Sequence, residues 1–218
     1  MKQDAAIVGS TLVALTETLS MDDRQDVMDL LLYAELEANK KYNKDEVAKS
    51  WMNHYQRTLV KHGCELKSFL NEDPIFVPRT NGLHGVALSL IGSEGSAQLE
   101  RLARSAIEAL KLDTFASEFY QGQASAKNTL VFSMAPCELT PTGEPAVFFC
   151  GLKLVSTIDV KGAWLWKTTF RDVSLFPAGG TFIFKREAYA KHRQRLRDGA
   201  GLQSDRFIRN IGRPAGSR

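Results

Sequence analysis

The chain has 218 residues, of which 44% are hydrophobic and 24% charged, with 28 Lys and Arg against 25 Asp and Glu. A chain of this size and composition can bury a full core, which excludes a wholly disordered, collagen-like or fibrous protein. The net charge of +3 excludes a histone-like polycation. The sequence carries no motif that names a reaction or identifies a family, so its patterns mainly predict architecture.

The cysteines and the N-terminus predict a soluble cytoplasmic protein. Cys64, Cys137 and Cys150 are odd in number, widely spaced and without a CxxC motif, which is typical of a reducing compartment. Residues 5–15 lack the positive flank and the cleavage site of a signal peptide. No run of 18 apolar residues predicts a membrane-spanning helix. Secretion without a signal peptide is left open.

Apolar residues recur at helical spacing in three segments before residue 68, so this region is predicted to be mainly helical. The three stripes are Ala5, Val8, Leu12, Leu15 and Leu19, then Val27, Leu30, Leu31, Ala34 and Ala38, and then Val47, Trp51, Tyr55 and Leu59. Asn43 and Glu46 have capping-box spacing at the start of the third helix, and Gly63 is its predicted stop.

The next region is predicted to be a connection, a strand and a helix. Residues 68–82 hold two prolines and an Asn-Gly pair, which indicate a connection, and residues 86–90 alternate as a short strand. A helix follows Ser96, its predicted N-cap. Its apolar stripe is Leu99, Leu102, Ala103, Ala106, Ile107 and Leu110.

From about residue 128 the apolar period changes from 3.6 to 2, which predicts strands. Four runs alternate in this way, at 130–134, 148–154, 164–170 and 182–184, with turn residues at 141–143, 159–162 and 177–180. Because short joins make antiparallel neighbours, a four-stranded meander is expected. A charged segment at 185–198 then predicts a terminal helix.

Together these elements predict an α+β fold, with an N-terminal helical layer packed on a C-terminal antiparallel β-meander and followed by a basic C-terminal helix and tail. One face of the sheet is expected to lie under helices and the other to be more polar. The predicted organisation is a single α+β domain over 1–198, mainly helical over 1–67, strand–turn–helix over 83–111, meander over 128–184 and helical over 185–198, with a flexible basic tail over 199–218.

Charge is divided unevenly along the chain. Residues 185–218, here called the basic segment, hold ten Lys and Arg against three Asp and Glu, a net of +7, while the preceding residues carry a net of −4. Its candidate binding residues are Arg193, Arg195, Arg197, Arg206, Arg209 and Arg213. They could meet the acidic patch at residues 22–29 on the same chain or on a neighbouring copy, another protein, nucleic acid or, ranked last, an anionic membrane.

The predicted strand at 164–170 offers a second candidate binding face. Its two tryptophans and Phe170 share one face, while Lys167 and Arg171 lie on the other. Aromatic and basic residues share a face on platforms for single-stranded nucleic acid, so their separation disfavours that function here. The aromatic face is expected to be buried, which leaves Lys167 and Arg171 as the candidate contacts.

Signatures of catalysis, metal binding and cofactor binding are missing from the sequence. The turn at 92–95 has neither the lysine nor the spacing of a P-loop. His62 and Cys64 lack the second ligand pair of a structural zinc site, and no GxSxG elbow is present. No local pattern pairs a cysteine with His84 or His192 as its base. No cofactor, metal or small-molecule substrate is predicted, and an enzymatic activity is left open but not favoured.

Three functions remain from these patterns. The leading one is a non-catalytic binding or assembly protein, self-associating or binding another protein, whose basic segment engages an acidic surface. The second is nucleic-acid binding through the same segment. The third is a membrane-active or toxin-like α+β protein, in which the amphipathic helices expected at residues 5–38 leave the sheet at a lipid surface.

Overall fold

A mixed β-sheet with helices on both of its faces forms the part of the chain that the computed structural model describes, residues 4–70, 72–126, 129–155 and 169–211. The strands are β1 Asp4–Val8, β2 Thr11–Leu15, β3 Cys64–Phe69, β4 Ile75–Asn81, β5 Ser125–Ala126, β6 Thr129–Leu139, β7 Pro145–Val155, β8 Thr169–Phe184 and β9 Ile208–Ile211. The helices are α1 Met21–Lys41, α2 Ala48–Lys61, α3 Leu83–Glu94, α4 Ala97–Leu112, α5 Thr114–Ala124, α6 Arg186–Ala190 and α7 Arg193–Phe207. The predicted α+β fold is confirmed.

The order of strands in the sheet is β3-β8-β7-β6-β2-β1-β9. Strands β6, β7 and β8 are consecutive antiparallel neighbours, as expected for a meander. Strand β2 pairs with β6 in parallel, from Thr11 opposite Ser133 to Leu15 opposite Cys137. Strands β3 and β4 follow one another along the outer side of β8. The sheet is therefore wider than the predicted four-stranded meander, because β1, β2 and β9 extend it beyond β6.

Both faces of the sheet are buried, so the prediction of one polar face is wrong. Phe148 and Cys150 pack with α3, α4 and α5, here called the α4 layer. Val147 and Phe149 face the opposite way and pack with α1, α2, α6 and α7, the α1 layer. Because all four consecutive residues are apolar, neither face of this strand can be exposed without cost. Such unbroken runs are typical of strands covered on both sides.

The N-terminal segment is a β-hairpin, and the helix predicted over residues 5–19 is wrong. Strands β1 and β2 are joined by Gly9 and Ser10, and Gly9 has a φ of 59° that a side chain rarely adopts. A Cβ at Gly9 would also collide with the carboxylate of Glu35. The apolar residues of this segment fit both a helical and a strand period. Pairing of β1 with β9 and of β2 with β6 stabilises the strand conformation.

Two further predictions between residues 68 and 94 are wrong. The strand expected at 86–90 is part of α3, because Leu83, Ala87 and Ile91 face the core at helical spacing. The connection expected at 68–82 contains the end of β3 and all of β4. The helix at 97–111 is confirmed as α4, with Ser96 as the N-cap that accepts a hydrogen bond from the Leu99 N–H at 3.0 Å.

The helix expected from Asn43 begins later. α2 starts at Ala48, and Val47 is its N-cap residue without a side-chain cap hydrogen bond. Trp51, Tyr55 and Leu59 are buried as the stripe predicts. The helix ends at Lys61, next to Gly63.

The turn predicted at 177–180 lies inside β8, which runs unbroken past it. Cβ atoms at Gly179 and Gly180 would collide with main-chain oxygens of Phe149 and Ser68, so glycine is required there by close strand pairing. The run at 164–170 lies mostly among residues 156–168, outside the described residues.

The C-terminal region is more structured than predicted. The terminal helix is divided into α6 and α7, and α7 continues to Phe207. Strand β9 then pairs antiparallel with β1, so the expectation of a flexible tail is wrong for residues 199–211. Residues 212–218 lie outside the described residues.

Candidate functional site

Three arginines of the basic segment, Arg186, Arg193 and Arg197, form ion pairs with α1 of the same chain. The Arg193 Nη2 atom lies 2.5 Å from the Asp26 Oδ2 atom, and the Arg197 Nη2 atom lies 3.1 Å from Asp26 Oδ1. Arg197 also approaches Asp29, at 3.7 Å. The side chain of Asp26 is only 1% exposed, so one buried carboxylate holds two guanidinium groups. Such a pair in a poorly solvated site is strongly destabilising to break.

A third ion pair extends this contact to α6. Arg186 donates to both carboxylate oxygens of Asp23, at 2.7 and 2.9 Å. This hydrogen bonding lowers the pKa of Asp23, with a further contribution from Ser20, whereas burial raises the pKa of Asp29. The three aspartates 23, 26 and 29 with the three arginines are here called the aspartate seam. It ties α1 to α6 and α7.

The remaining predicted binding residues are dispersed. Arg195 donates to the hydroxyl of Tyr33 at 3.2 Å, and Arg209 lies over the ring of Phe115, 4.1 Å from its centroid. Arg206 is in α7 and Arg171 is in β8, where its backbone lies opposite Arg79. The side chains of Arg206 and Arg171, together with the whole of Lys167 and Arg213, lie outside the described part.

A buried polar cluster joins the β1–β2 turn to α1. The Ser10 N–H donates to both carboxylate oxygens of Glu35 at 2.9 Å, and Lys44 donates to the Ser10 hydroxyl at 2.5 Å. Burial raises the pKa of Glu35 and lowers that of Lys44. A serine beside a lysine resembles a nucleophile with its base, but the hydroxyl here accepts a hydrogen bond and Ser10 is 2% exposed. The cluster therefore holds the hairpin in place.

His62 lies buried where α1, α2 and α7 meet. Its Nδ1 atom is 2.9 Å from the Thr58 carbonyl oxygen, and its ring stands edge-on to those of Tyr33 and His192. Burial lowers the pKa of His62, opposed by the Thr58 hydrogen bond and reinforced by the nearby charges of His192, Arg195 and Lys61. The imidazole is therefore held in its neutral form.

The thiols are poor nucleophiles. Cys64, Cys137 and Cys150 are fully enclosed, and burial raises the pKa of Cys64 and of Cys150 to about 12. Only a thiolate attacks or binds metal, and these groups stay protonated near neutral pH. Within the described ranges, no three His, Cys, Asp or Glu side chains are grouped so as to hold a metal ion.

The α4 layer is held to the sheet mainly by apolar side chains. The buried side of α4 consists of Leu99, Leu102, Ala103, Ala106, Ile107 and Leu110. Its ion pairs Glu100–Arg104 and Glu108–Lys111 lie within the helix and face outwards. A hydrogen bond of 2.8 Å from Ser96 to Glu138 joins the α3–α4 connection to β6. The α1 layer also packs on the sheet through an apolar cluster, and the aspartate seam joins helices within that layer.

An apolar cleft of about 590 Å³ lies on the side of the α1 layer, where β7 and β8 extend beyond the first turn of α2. Its apolar walls are Val47, Met52, Pro74, Val155, Phe176 and Pro177. Val155 is 47% and Phe176 39% exposed, so the sheet face here is not covered by α2. The one basic side chain that β7 places in this cleft is Lys153.

The acidic patch can be predicted from the sequence, whereas the cleft and the Ser10–Glu35–Lys44 cluster cannot. The acidic patch at residues 22–29 is predicted from the sequence as one partner of the basic segment, and Asp23, Asp26 and Asp29 of this patch form the seam. The cleft was missed because four separate segments line it. The Ser10–Glu35–Lys44 cluster is not predicted by the sequence, because it depends on the β1–β2 turn, and the apolar pattern of residues 5–19 predicts a helix there.

Each helix that the structure describes is too short or too polar to cross a bilayer. No family model matches the chain, and no curated protein matches it. Among solved structures, a delta-endotoxin aligns with a TM-score of 0.51 at 8% identity, over 79% of this chain and 80% of that one. The Evf virulence factor aligns with a TM-score of 0.38 at 12% identity, over 91% of this chain and 82% of that one. The likeness to the delta-endotoxin is a likeness of fold.

Proposed function

We propose that this protein is a membrane-active protein of the toxin type, in which the α3–α4 hairpin leaves the sheet and binds a lipid surface. The observation that carries this proposal is the apolar attachment of α4, whose buried side consists of Leu and Ile with Ala. Such a face can exchange the protein core for the interfacial region of a bilayer without burying a charge. The outer face, with Glu100, Arg101 and Arg104, would stay in water.

The α1 layer is less suited to this role. The buried side of α1 carries Asp23, Asp26, Asp29 and Glu35. Moving it into lipid would transfer these groups away from their arginine and backbone partners, and charged groups in hydrocarbon are expensive. The expectation that helices at residues 5–38 make the lipid contact is therefore replaced by the α3–α4 hairpin, since residues 5–15 are strands.

The fold likeness supports the same proposal. The delta-endotoxin is a toxin by name, and the alignment spans about four-fifths of both chains. At 8% identity this supports a shared architecture, a sheet between two helical layers, and the toxin activity is proposed here.

The first experiment is sedimentation of the intact chain with phosphatidylcholine vesicles, with and without an anionic lipid. We expect the protein to pellet with vesicles and to release an entrapped dye. Protein that stays in the supernatant with both vesicle types would overturn the proposal.

A matched pair of labelled variants then tests which helix meets the lipid. Gln98 and Gln194 are both exposed and both second residues of a helix, in α4 and α7 respectively. Because the native cysteines are buried, an environment-sensitive dye on Gln98→Cys or Gln194→Cys labels one site. Vesicles should shift the emission to the blue at position 98, because an interfacial helix brings its start into the head-group layer, and should leave position 194 unchanged. Equal shifts, or a shift at 194 alone, would contradict the role of α3–α4.

Assembly through the basic segment stays a prediction, and the structure of residues 199–211 changes how it is tested. Truncation after Asp198 would remove the end of α7 and all of β9, so it would damage the monomer. Light scattering of the intact chain over a range of concentrations is the cleaner measurement. A mass that stays monomeric throughout would contradict self-association.

A further inference from the structure

We propose that the apolar cleft beside α2 binds one fatty acid, with the acyl chain along the sheet face and the carboxylate at Lys153. This site goes beyond the proposed membrane activity and is independent of it, because the cleft lies on the opposite face of the sheet from the α3–α4 hairpin.

The cleft exists because α2 covers only part of the sheet. Met52 of α2 lies over Gly151 of β7, where a Cβ would collide with the end of the Met52 side chain. Beyond this point β7 continues to Val155, and the register places Lys153 opposite Phe176. The sheet face therefore continues past the helix, and Met52 closes the inner end of the cleft.

Size and lining fit one acyl chain. The volume of about 590 Å³ lies within the range of small-molecule sites, which are mostly apolar with a few placed polar groups. Phe176, Pro177 and Ala178 form the floor on β8, and Val47 and Pro74 stand at the sides. A flexible chain of methylenes can follow such a surface, and each buried methylene contributes favourable transfer free energy.

The positive charge of Lys153 favours a ligand with an anionic head group. Its Nζ atom donates to the main-chain carbonyl of Asp45 at 3.2 Å, and a carbonyl oxygen does not neutralise the ammonium charge. By contrast, Lys49 at the rim is paired with Glu72 at 3.1 Å. A lysine beside apolar walls favours an anionic end group on an apolar ligand.

The acidic side chains at the rim of the cleft distinguish between classes of anionic ligand. Glu46, Glu72 and Asp73 border the cleft together with Lys49 and Lys153. This mixed rim disfavours a phosphate monoester with two charges and tolerates a single carboxylate at Lys153. A phospholipid, whose phosphodiester carries one charge, brings two acyl chains, and a cleft of about 590 Å³ has room for one. The geometry thus points to a free fatty acid and not to a phospholipid.

The test is calorimetric titration of the intact chain, without vesicles, with decanoate, dodecanoate and decanol below their aggregation concentrations. We expect one site per chain and affinity that rises about fourfold for each added methylene. Lys153→Gln should weaken decanoate binding about tenfold and leave decanol binding unchanged. Lys61→Gln, at the other end of α2, is the matched control and should bind decanoate like the original chain.

A second variant fills the cleft itself. Ala178→Trp should abolish binding of both decanoate and decanol, and circular dichroism shows whether this variant is folded. No saturable binding of decanoate to the original chain would overturn the proposal, as would equal binding by the original chain, Lys153→Gln and a folded Ala178→Trp. Vesicle sedimentation is a separate measurement, so failure of one proposal is distinguishable from failure of the other.

Discussion

His62 makes the stability of the α1 layer depend on pH. Burial, aided by three neighbouring basic groups, lowers the pKa of this side chain below its ordinary value of 6.5. A lowered histidine pKa means that the unfolded chain binds the proton more readily. The stability from neutral His62 is therefore fully present above pH 6.5 and is lost as the pH falls from there towards the lowered pKa.

The corresponding variant is His62→Gln, which keeps a donor for the Thr58 carbonyl and does not titrate. We expect its melting temperature to fall less steeply than that of the original chain between about pH 7.5 and about pH 5. His54→Gln, within α2, is the comparison variant: burial lowers the pKa of His54 as well, but at a less buried position, so this variant should flatten the curve less than His62→Gln. Parallel melting curves for His62→Gln and the original chain would contradict this account.

Asp26 is the residue on which the aspartate seam depends. In Asp26→Asn the guanidinium groups of Arg193 and Arg197 lose their shared negative partner. Because both arginines are about 40% exposed, we expect a loss of about 2 kcal/mol, below the value for a fully buried pair. Urea unfolding measures this. Asp22→Asn, at an exposed position on the same helix, should change stability by less than about 0.5 kcal/mol. Equal effects of the two variants would show that the seam does not stabilise the fold.

At the level of elements, the start of α4 controls how firmly the α3–α4 hairpin is held. Ser96 caps α4 and also donates to Glu138. Ser96→Ala should lower the free energy of unfolding by about 1 kcal/mol and speed amide exchange in the first turns of α4. Ser93→Ala, which removes an exposed hydroxyl three residues earlier, is the control. If exchange in α4 is the same in both variants, Ser96 does not hold the hairpin.

The elements also show which predictions the sequence could support. Segments with one strong period, such as α4 and the strands at 130–134 and 148–154, form as expected because local pattern and tertiary environment agree. Residues 5–15 and 86–90 fit two periods, so their neighbours decide between them. β1 and β2 become strands because β9 and β6 pair with them.

On the scale of the whole molecule, the acidic and the basic parts of the chain form ion pairs with each other within one molecule. The acidic patch on α1 and the arginines of α6 and α7 are more than 160 residues apart in sequence, yet they form the aspartate seam. Two layers of helices cover one sheet through apolar clusters, but the buried side of α1 also carries Asp23, Asp26, Asp29 and Glu35, whereas the buried side of α4 is apolar. This asymmetry is the basis for assigning the lipid contact to α3–α4.

The sequence by itself determined the α+β class, the helix α4 with its cap and the opposite charges of α1 and the basic segment. Period and composition are local properties, and they can be read without knowledge of partners. Only the tertiary structure decided that residues 4–15 are strands, that Asp26 holds two arginines and that the sheet extends past α2 to form a cleft. Each of these depends on which distant segments meet, and the free energy of that pairing is absent from any local window of residues.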